Sequence, residues 1–187
     1  MLLNIKNMVC DRCIMVVSQQ LEHLDFRVND ISLGTVEVDP DPSEQQLNQI
    51  DSALKALGFE LIDKDKDKLI ESIRNIIIEL IHHSEQKELH VNFTEVLSDR
   101  LHRDYSYLSR LFSESEGITI EKFIIQQKIE KVKELLQYGE LNLNEIAWKM
   151  GYSSSAHLSN QFKAITGQSP SEFKALKIQL RKPIDRI

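Results

Sequence analysis

Residues 142–173 read NLNEIAWKMGYSSSAHLSNQFKAITGQSPSEF, and the fold of the chain turns on them. Asn142 and Glu145 stand in the Asn-x-x-Glu spacing in which an amide caps the first free N–H groups of a helix while the carboxylate meets its positive end. Ile146, Ala147 and Met150 give that short helix an apolar face, and Gly151 supplies the backbone freedom for a sharp turn. Ser153, Ser154 and Ser155 then offer capping hydroxyls to a second helix, which is expected to carry Leu158, Phe162 and Ile165 inward.

The pattern occurs once earlier. Asn92, Glu95, Leu108, Ser109, Phe112, Gly117 and Phe123 recur at Asn142, Glu145, Leu158, Ser159, Phe162, Gly167 and Phe173, each displaced by 50 residues. A repeated supersecondary unit implies two copies of one motif, over about residues 92–117 and 142–167. Two short helices joined by a tight turn, the second showing small polar side chains outward, have the layout of a helix-turn-helix.

With LSRLFSESEG in the first copy and EIAWKMGYSSSAHLSNQFKAITGQSPSEF in the second, the chain resembles the tandem DNA-binding domain of AraC/XylS transcription regulators over residues 68–180. The resemblance implies double-stranded DNA as partner, a regulator and not an enzyme, and a helix between the copies that joins them rigidly. That helix is expected from Thr119 to Tyr138, with Ile125, Ile129, Val132 and Leu136 on one face, Lys122, Lys131 and Lys133 toward solvent, and Gly139 ending it. Two recognition helices so joined would enter successive major grooves roughly 34 Å apart.

In a recognition helix the apolar positions hold the fold and the outward ones meet DNA. Leu108, Leu111 and Phe112 are therefore core, and Ser106, Ser109 and Arg110 are the candidates in the first copy. Arg110 can give two hydrogen bonds to guanine O6 and N7, or it can touch phosphate or pair with Glu114 one turn on. In the second copy the candidates are Ser155, His157 and Asn160, with Gln161 beside them and Lys163 as a phosphate contact. Asn160 stands where the resembled family commonly has arginine, and an Asn there suits adenine N6 and N7. Trp148 is expected to pack; Tyr105 and Tyr107 are candidates for a phosphate hydrogen bond.

The net charge of −6 is unevenly spread. Residues 1–62 carry 4 basic and 10 acidic side chains, whereas residues 63–187 carry 19 of each. From Ala147 onward Lys149, Lys163, Lys174, Lys177, Arg181, Lys182 and Arg186 face only Glu172 and Asp185, an excess that suits phosphate, and residues 181–187 read as a basic tail. The most apolar window, residues 76–81, is far shorter than the roughly 20 residues a bilayer requires. No membrane association and a cytoplasmic location are expected.

Residues 1–62 read as strand, helix, strand, strand, helix, strand. Ile14, Val17, Leu21 and Leu24 form one helical stripe and Leu47, Ile50, Leu54 and Leu57 another, the second capped by Ser43 and ended by Gly58. Phe26, Val28, Ile31, Val36 and Val38 supply strands about Gly34. This pattern is that of a ferredoxin-like α+β domain preceding the all-α tandem helix-turn-helix domain. With NMVCDRC in the first strand-to-helix loop it resembles the heavy-metal-associated domain of copper chaperones and metal-transporting ATPases, whose Met-x-Cys-x-x-Cys pattern is matched by Met8, Cys10 and Cys13. Asn7 stands where that family usually has glycine.

Three readings of Cys10 and Cys13 stay open: a site for Cu(I) or Zn(II), with Met8 as a further ligand and thiol pKa values depressed by Arg12 and the helix start; a redox pair; or a retained fold that holds no metal. A metal-donor protein is a partner under the first. Residues 63–68, Asp-Lys-Asp-Lys-Asp-Lys, are expected as a linker or a solvated helix start, followed by a helix over residues 69–83 that packs on the first helix-turn-helix or makes a homodimer contact. His82 and His83 read as a polar helix end. A different class of function, a metal-trafficking or thiol-redox protein whose C-terminal helices only mediate assembly, is opposed by the outward Ser, Asn and Arg of the repeats.

Overall fold

The computed structural model describes residues 1–62, 65–83, 89, 91–175 and 184. The chain divides into two compact domains, Met1–Ile76 and Ile77–Ile187. Asp63 and Lys64, most of the basic tail and residues 176–180 lie outside the described residues.

In the N-terminal domain the elements follow the expected order: β1 (Leu2–Lys6), α1 (Asp11–His23), β2 (Arg27–Ser32), β3 (Thr35–Asp39), α2 (Glu44–Ala56) and β4 (Glu60–Leu61). The four strands form one sheet in the order β2-β3-β1-β4, and β1 pairs antiparallel with both of its neighbours. Alternation decides which face is buried: Leu3 and Ile5 of β1 and Val36 and Val38 of β3 point into a core completed by Val17 and Leu21 of α1 and Ile50 and Leu54 of α2. Ser43 caps α2 in a full capping box, its hydroxyl accepting from Gln46 N while the Gln46 side chain accepts from Ser43 N.

Helix α3 (Asp65–Ile78) begins inside the charged run. Asp65 and Asp67 sit at its positive end, and Lys68 Nζ lies 3.6 Å from Asp65 Oδ1, so residues 65–68 are a solvated first turn and the domain division falls later, after Ile76. Its buried polar residues tie it to the N-terminal domain: Asn7 N donates to Glu71 Oε1 at 3.0 Å, and Asn75 Nδ2 donates to Leu33 O at 3.3 Å. The amide of Asn75 also occupies the space where a Cβ on Gly34 would stand.

The C-terminal domain takes up the chain with a π-helical turn, Glu79–His83, and six helices follow among the described residues: α4 (Phe93–Leu101), α5 (Tyr105–Glu116), α6 (Ile120–Tyr138), α7 (Leu143–Lys149), α8 (Ser155–Thr166) and α9 (Pro170–Ala175). The long α6 packs against α5, α7, α8, α9 and the π-helical turn. Because neighbours lie on several sides, its burial is not confined to one stripe. Ile129, Val132 and Leu136 are buried as expected, but so are Gln127, Glu130 and Lys133. Lys133 is thus a core residue and not a solvent-facing one; its ammonium lies 2.6 Å from Glu130 Oε1 and 5.9 Å from the Phe173 ring centre.

His82 is also more than a polar helix end. Its Nε2 lies 2.8 Å from Gln127 Oε1, while Gln127 Nε2 donates to Ile184 O at 3.0 Å. The Gln127 amide nitrogen is the donor to Ile184, so its oxygen accepts and His82 Nε2 carries the proton. Burial pulls the His82 pKa down to about 4, against the opposing pull of the Gln127 bond.

Candidate nucleic-acid interface

The two motifs are built alike residue by residue. Helix α4 is capped by Asn92, whose side chain accepts from Glu95 N; α7 is capped by Asn142, which accepts from Glu145 N in a full capping box. Asp104 caps α5 by accepting from Ser106 N, and Ser154 caps α8 by accepting from His157 N. Gly117 and Gly167 end α5 and α8 in the left-handed conformation. Inside, Leu108 and Phe112 are matched by Leu158 and Phe162, all fully buried. The ring of Phe112 meets Phe123 with centroids 5.5 Å apart, and Phe162 meets Phe173 at 5.5 Å.

These cores leave matched outer faces. On α5 Ser106, Tyr107, Arg110 and Glu114 are exposed; on α8 Ala156, His157, Asn160, Lys163 and Ala164 are exposed. Arg110 forms no ion pair among the described residues, which leaves its guanidinium available where the Glu114 alternative would have engaged it. Ser106 is exposed, yet its hydroxyl is committed to the Asp104 cap, and that bond holds the Asp104 carboxyl below its ordinary range. Ser109 and Ser155 are half-buried at the margin, each lending its carbonyl to the serine one turn on, Ser113 and Ser159. His157 is presented in a defined orientation: Ser153 Oγ lies 3.1 Å from Nδ1, and Tyr152 meets the ring edge-on at 5.3 Å.

Tyr105 and Tyr107 part company. Tyr105 OH donates to Glu121 Oε1 at 2.5 Å, bracing α5 against the start of α6, and burial followed by this carboxylate pushes its pKa up. Tyr107 lies on the exposed face at the position matching His157, so it joins the candidate surface; the displacement by 50 residues was the signal that places it. Two expected core residues face solvent. Trp148 is 54% exposed, because Ile146, Ala147 and Met150 take the inner face of α7 and Trp148 falls opposite. Ile165 is 42% exposed, and its equivalent Ser115 is exposed too, so the position is outward in both motifs.

The thiol loop of the N-terminal domain is a separate feature. Cys10 stands at the N-cap position of α1 without a side-chain capping bond and Cys13 lies in its first turn, with the sulfurs 3.5 Å apart and both residues half-buried. The Cys13 pKa is raised, by burial first and by the bond to Cys10 as well, although backbone hydrogen bonds at Val9 and Cys10 oppose it. The expected depression is therefore outweighed at Cys13. Met8 is fully buried in the domain core, and packing explains it without a ligand role. No group of three or more His, Cys, Asp or Glu side chains able to hold a metal occurs among the described residues. Two soft sulfurs alone fit a thiophilic ion of low coordination number better than four-coordinate zinc.

Residues 97–175 match the helix-turn-helix domain family. The Msm operon regulatory protein of Streptococcus mutans is 31% identical over 100 residues, 54% of this chain and 35% of that protein. The uncharacterized HTH-type transcriptional regulator YfiF of Bacillus subtilis is 33% identical over 104 residues, 52% of this chain and 32% of its own length. Among solved structures, the C-terminal domain of AraT, a response regulator from Geobacillus stearothermophilus, superposes with a TM-score of 0.51 at 25% identity, covering 64% of this chain and 95% of that one. The matched stretch thus spans about a third of the length of these two relatives. The names of these relatives are those of an operon regulatory protein, an HTH-type transcriptional regulator and a response regulator. No helix among the described residues is long and apolar enough to cross a membrane.

Proposed function

We propose that the chain is a sequence-specific transcription regulator of the AraC type that lays α5 and α8 in successive major grooves of double-stranded DNA. The observation that carries this reading is the duplicated outer face: one buried scaffold, repeated at 50 residues, exposes Tyr107 and Arg110 in one motif and His157 and Asn160 in the other. Arg110 and Asn160 are not side chains an assembly surface would favour, and they suit base edges, Arg110 for guanine and Asn160 for adenine. Lys163 at the margin suits phosphate. The neutral charge balance of residues 63–187 supplies little non-specific attraction, so discrimination leans on these base contacts.

For the N-terminal domain we propose a ferredoxin-like, heavy-metal-associated-like module, on the support of its β-α-β-β-α-β order and its thiol pair at a helix start. Cys10 and Cys13 would hold Cu(I), making this domain the place where a signal enters. Homodimerisation and loading by a metal-donor protein are consistent with this reading.

The test is selection of bound sequences from a pool of randomised duplexes by the full chain, followed by titration of the selected duplex and of a scrambled one. Enrichment of a two-part site with parts about one helical turn apart is expected. Equal affinity for selected and scrambled duplexes would overturn the reading.

A further inference from the structure

Lys128 projects from the middle of α6, and its environment is unusual for a lysine. The ammonium donates one hydrogen bond, to Met150 O at 3.0 Å, and lies 5.5 Å from the ring centre of Tyr152 and 6.0 Å from that of Phe93. No carboxylate pairs with it among the described residues, and burial draws its pKa down. A cation held this way has surrendered water for two ring faces and a single carbonyl, where an apolar side chain would pack at less desolvation cost.

The three contacts belong to different parts of the duplicated scaffold. Phe93 is the first residue of α4, in the first motif. Met150 is the C-cap of α7, so its carbonyl is one of the groups a helix end leaves without an internal partner, at the negative pole of that helix. Tyr152 lies in the turn of the second motif and meets His157 of α8 edge-on at 5.3 Å. One charge therefore joins the start of the first motif to the turn that aims the second recognition helix.

We infer that Lys128 is a positioning residue that locks the two helix-turn-helix motifs at one spacing, so that the protein discriminates DNA sites by the distance between their two parts as well as by their bases. The inference rests on the DNA-binding reading given above. Without the charge each motif keeps its own core, since Phe112 with Phe123 and Phe162 with Phe173 are untouched, but the turn of the second motif is free to shift against the first. Recognition of a single half-site should survive while recognition of spacing is blunted.

The experiment uses the full chain and the duplex selected by the wild type, with three further duplexes: one base pair inserted between the two parts, one removed, and the second part scrambled. The wild type should lose about tenfold in affinity for the altered spacings, comparable to a base mismatch. Lys128→Met, which keeps the apolar stem, should show a spacing preference of about twofold or less with half-site affinity unchanged, and Lys128→Arg should restore the preference. Circular dichroism and the melting temperature establish that each variant is folded; should the Met variant fail to fold, Lys128→Gln, which can still donate to Met150 O, enters the same comparison. Wild-type spacing preference in the folded charge-free variant overturns the inference, as does equal weakening on full and half sites, which marks a merely structural brace. A wild type without any preferred sequence removes the DNA-binding reading itself, and is recognised before any variant is made.

Discussion

Phe162 of α8 packs edge-on against Phe173 of α9 with ring centres 5.5 Å apart, and fifty residues earlier Phe112 meets Phe123 at the same 5.5 Å with the rings tilted by 55°. Each pair fastens the second helix of a motif to the helix that follows it. Phe162 and Phe173 are 0% and 3% exposed, so the pair forms the centre of the second motif.

Phe162→Ala should therefore cost about 3–5 kcal/mol, the range for deleting a buried aromatic ring. Urea unfolding of the full chain, monitored by far-ultraviolet circular dichroism, measures it. A loss under about 1 kcal/mol would mean that this ring pair does not fasten α8.

Much of this scaffold is legible in the amino-acid sequence. Asn142 with Glu145, Ser43 and Gly117 are positions where a single side chain or its absence satisfies a helix end, and such local chemistry survives any tertiary context. The repeat then carried core assignments from one motif to the other. What escaped were positions decided by neighbours distant in sequence. Lys133 and Gln127 carry polar groups that a periodicity argument sends outward, yet α6 has partners on several sides and buries them against Glu130 and His82. Trp148, expected to pack because it lies in the first helix of its motif, faces solvent because the inner face of α7 is filled by Ile146 and Ala147. At Cys13 the helix start that should favour a thiolate is outweighed by burial, a quantity that residue spacing does not contain.

Arg110 and Lys163 should separate in salt dependence and in sequence dependence. Arg110→Ala should lose roughly 1–3 kcal/mol at one base position of the selected site and leave scrambled duplex binding nearly unchanged. Lys163→Ala should weaken all duplexes alike and reduce the salt slope by about one. Fluorescence anisotropy titrations at several salt concentrations supply both quantities. A uniform loss for Arg110→Ala would reassign it to phosphate.

The His82 pair gives a pH dependence with a definite sign. In the unfolded chain His82 titrates near its ordinary 6.5, and in the folded chain near about 4, so between these values the unfolded state binds the extra proton. Its contribution is fully present above pH 6.5 and is lost as pH falls toward 4, about 3 kcal/mol in total by linkage. Unfolding free energies measured at intervals across this range should decline less steeply for His82→Gln than for the wild type. Parallel curves would show that His82 keeps an ordinary pKa in the folded protein.

The thiol loop yields the last expectation, and it has two separable parts. Cys10 and Cys13 present sulfurs 3.5 Å apart with no further His, Cys, Asp or Glu cluster among the described residues, so the full chain should take up one Cu(I) and bind Zn(II) far more weakly. Cys10→Ser/Cys13→Ser should abolish the Cu(I) uptake, measured under reducing conditions by competition with a chromophoric Cu(I) chelator. Transmission is the second part. Asn7, at the end of β1 and three residues before Cys10, donates from its backbone to Glu71 of α3, the helix that leads the chain into the C-terminal domain. Ordering the thiol loop on a metal would act on that bond, but it shifts DNA affinity only as far as the metal binds the DNA-bound and free forms differently. Titrating the selected duplex with and without Cu(I), on the wild type and on Glu71→Ala, which removes the acceptor of the Asn7 N–H, reads the coupling: a change in Kd in the wild type that shrinks in the variant is expected. Equal metal uptake by wild type and double mutant sinks the site, whereas an unchanged Kd in loaded wild type sinks only the coupling and leaves Cys10 and Cys13 as a metal site without a regulatory consequence for DNA.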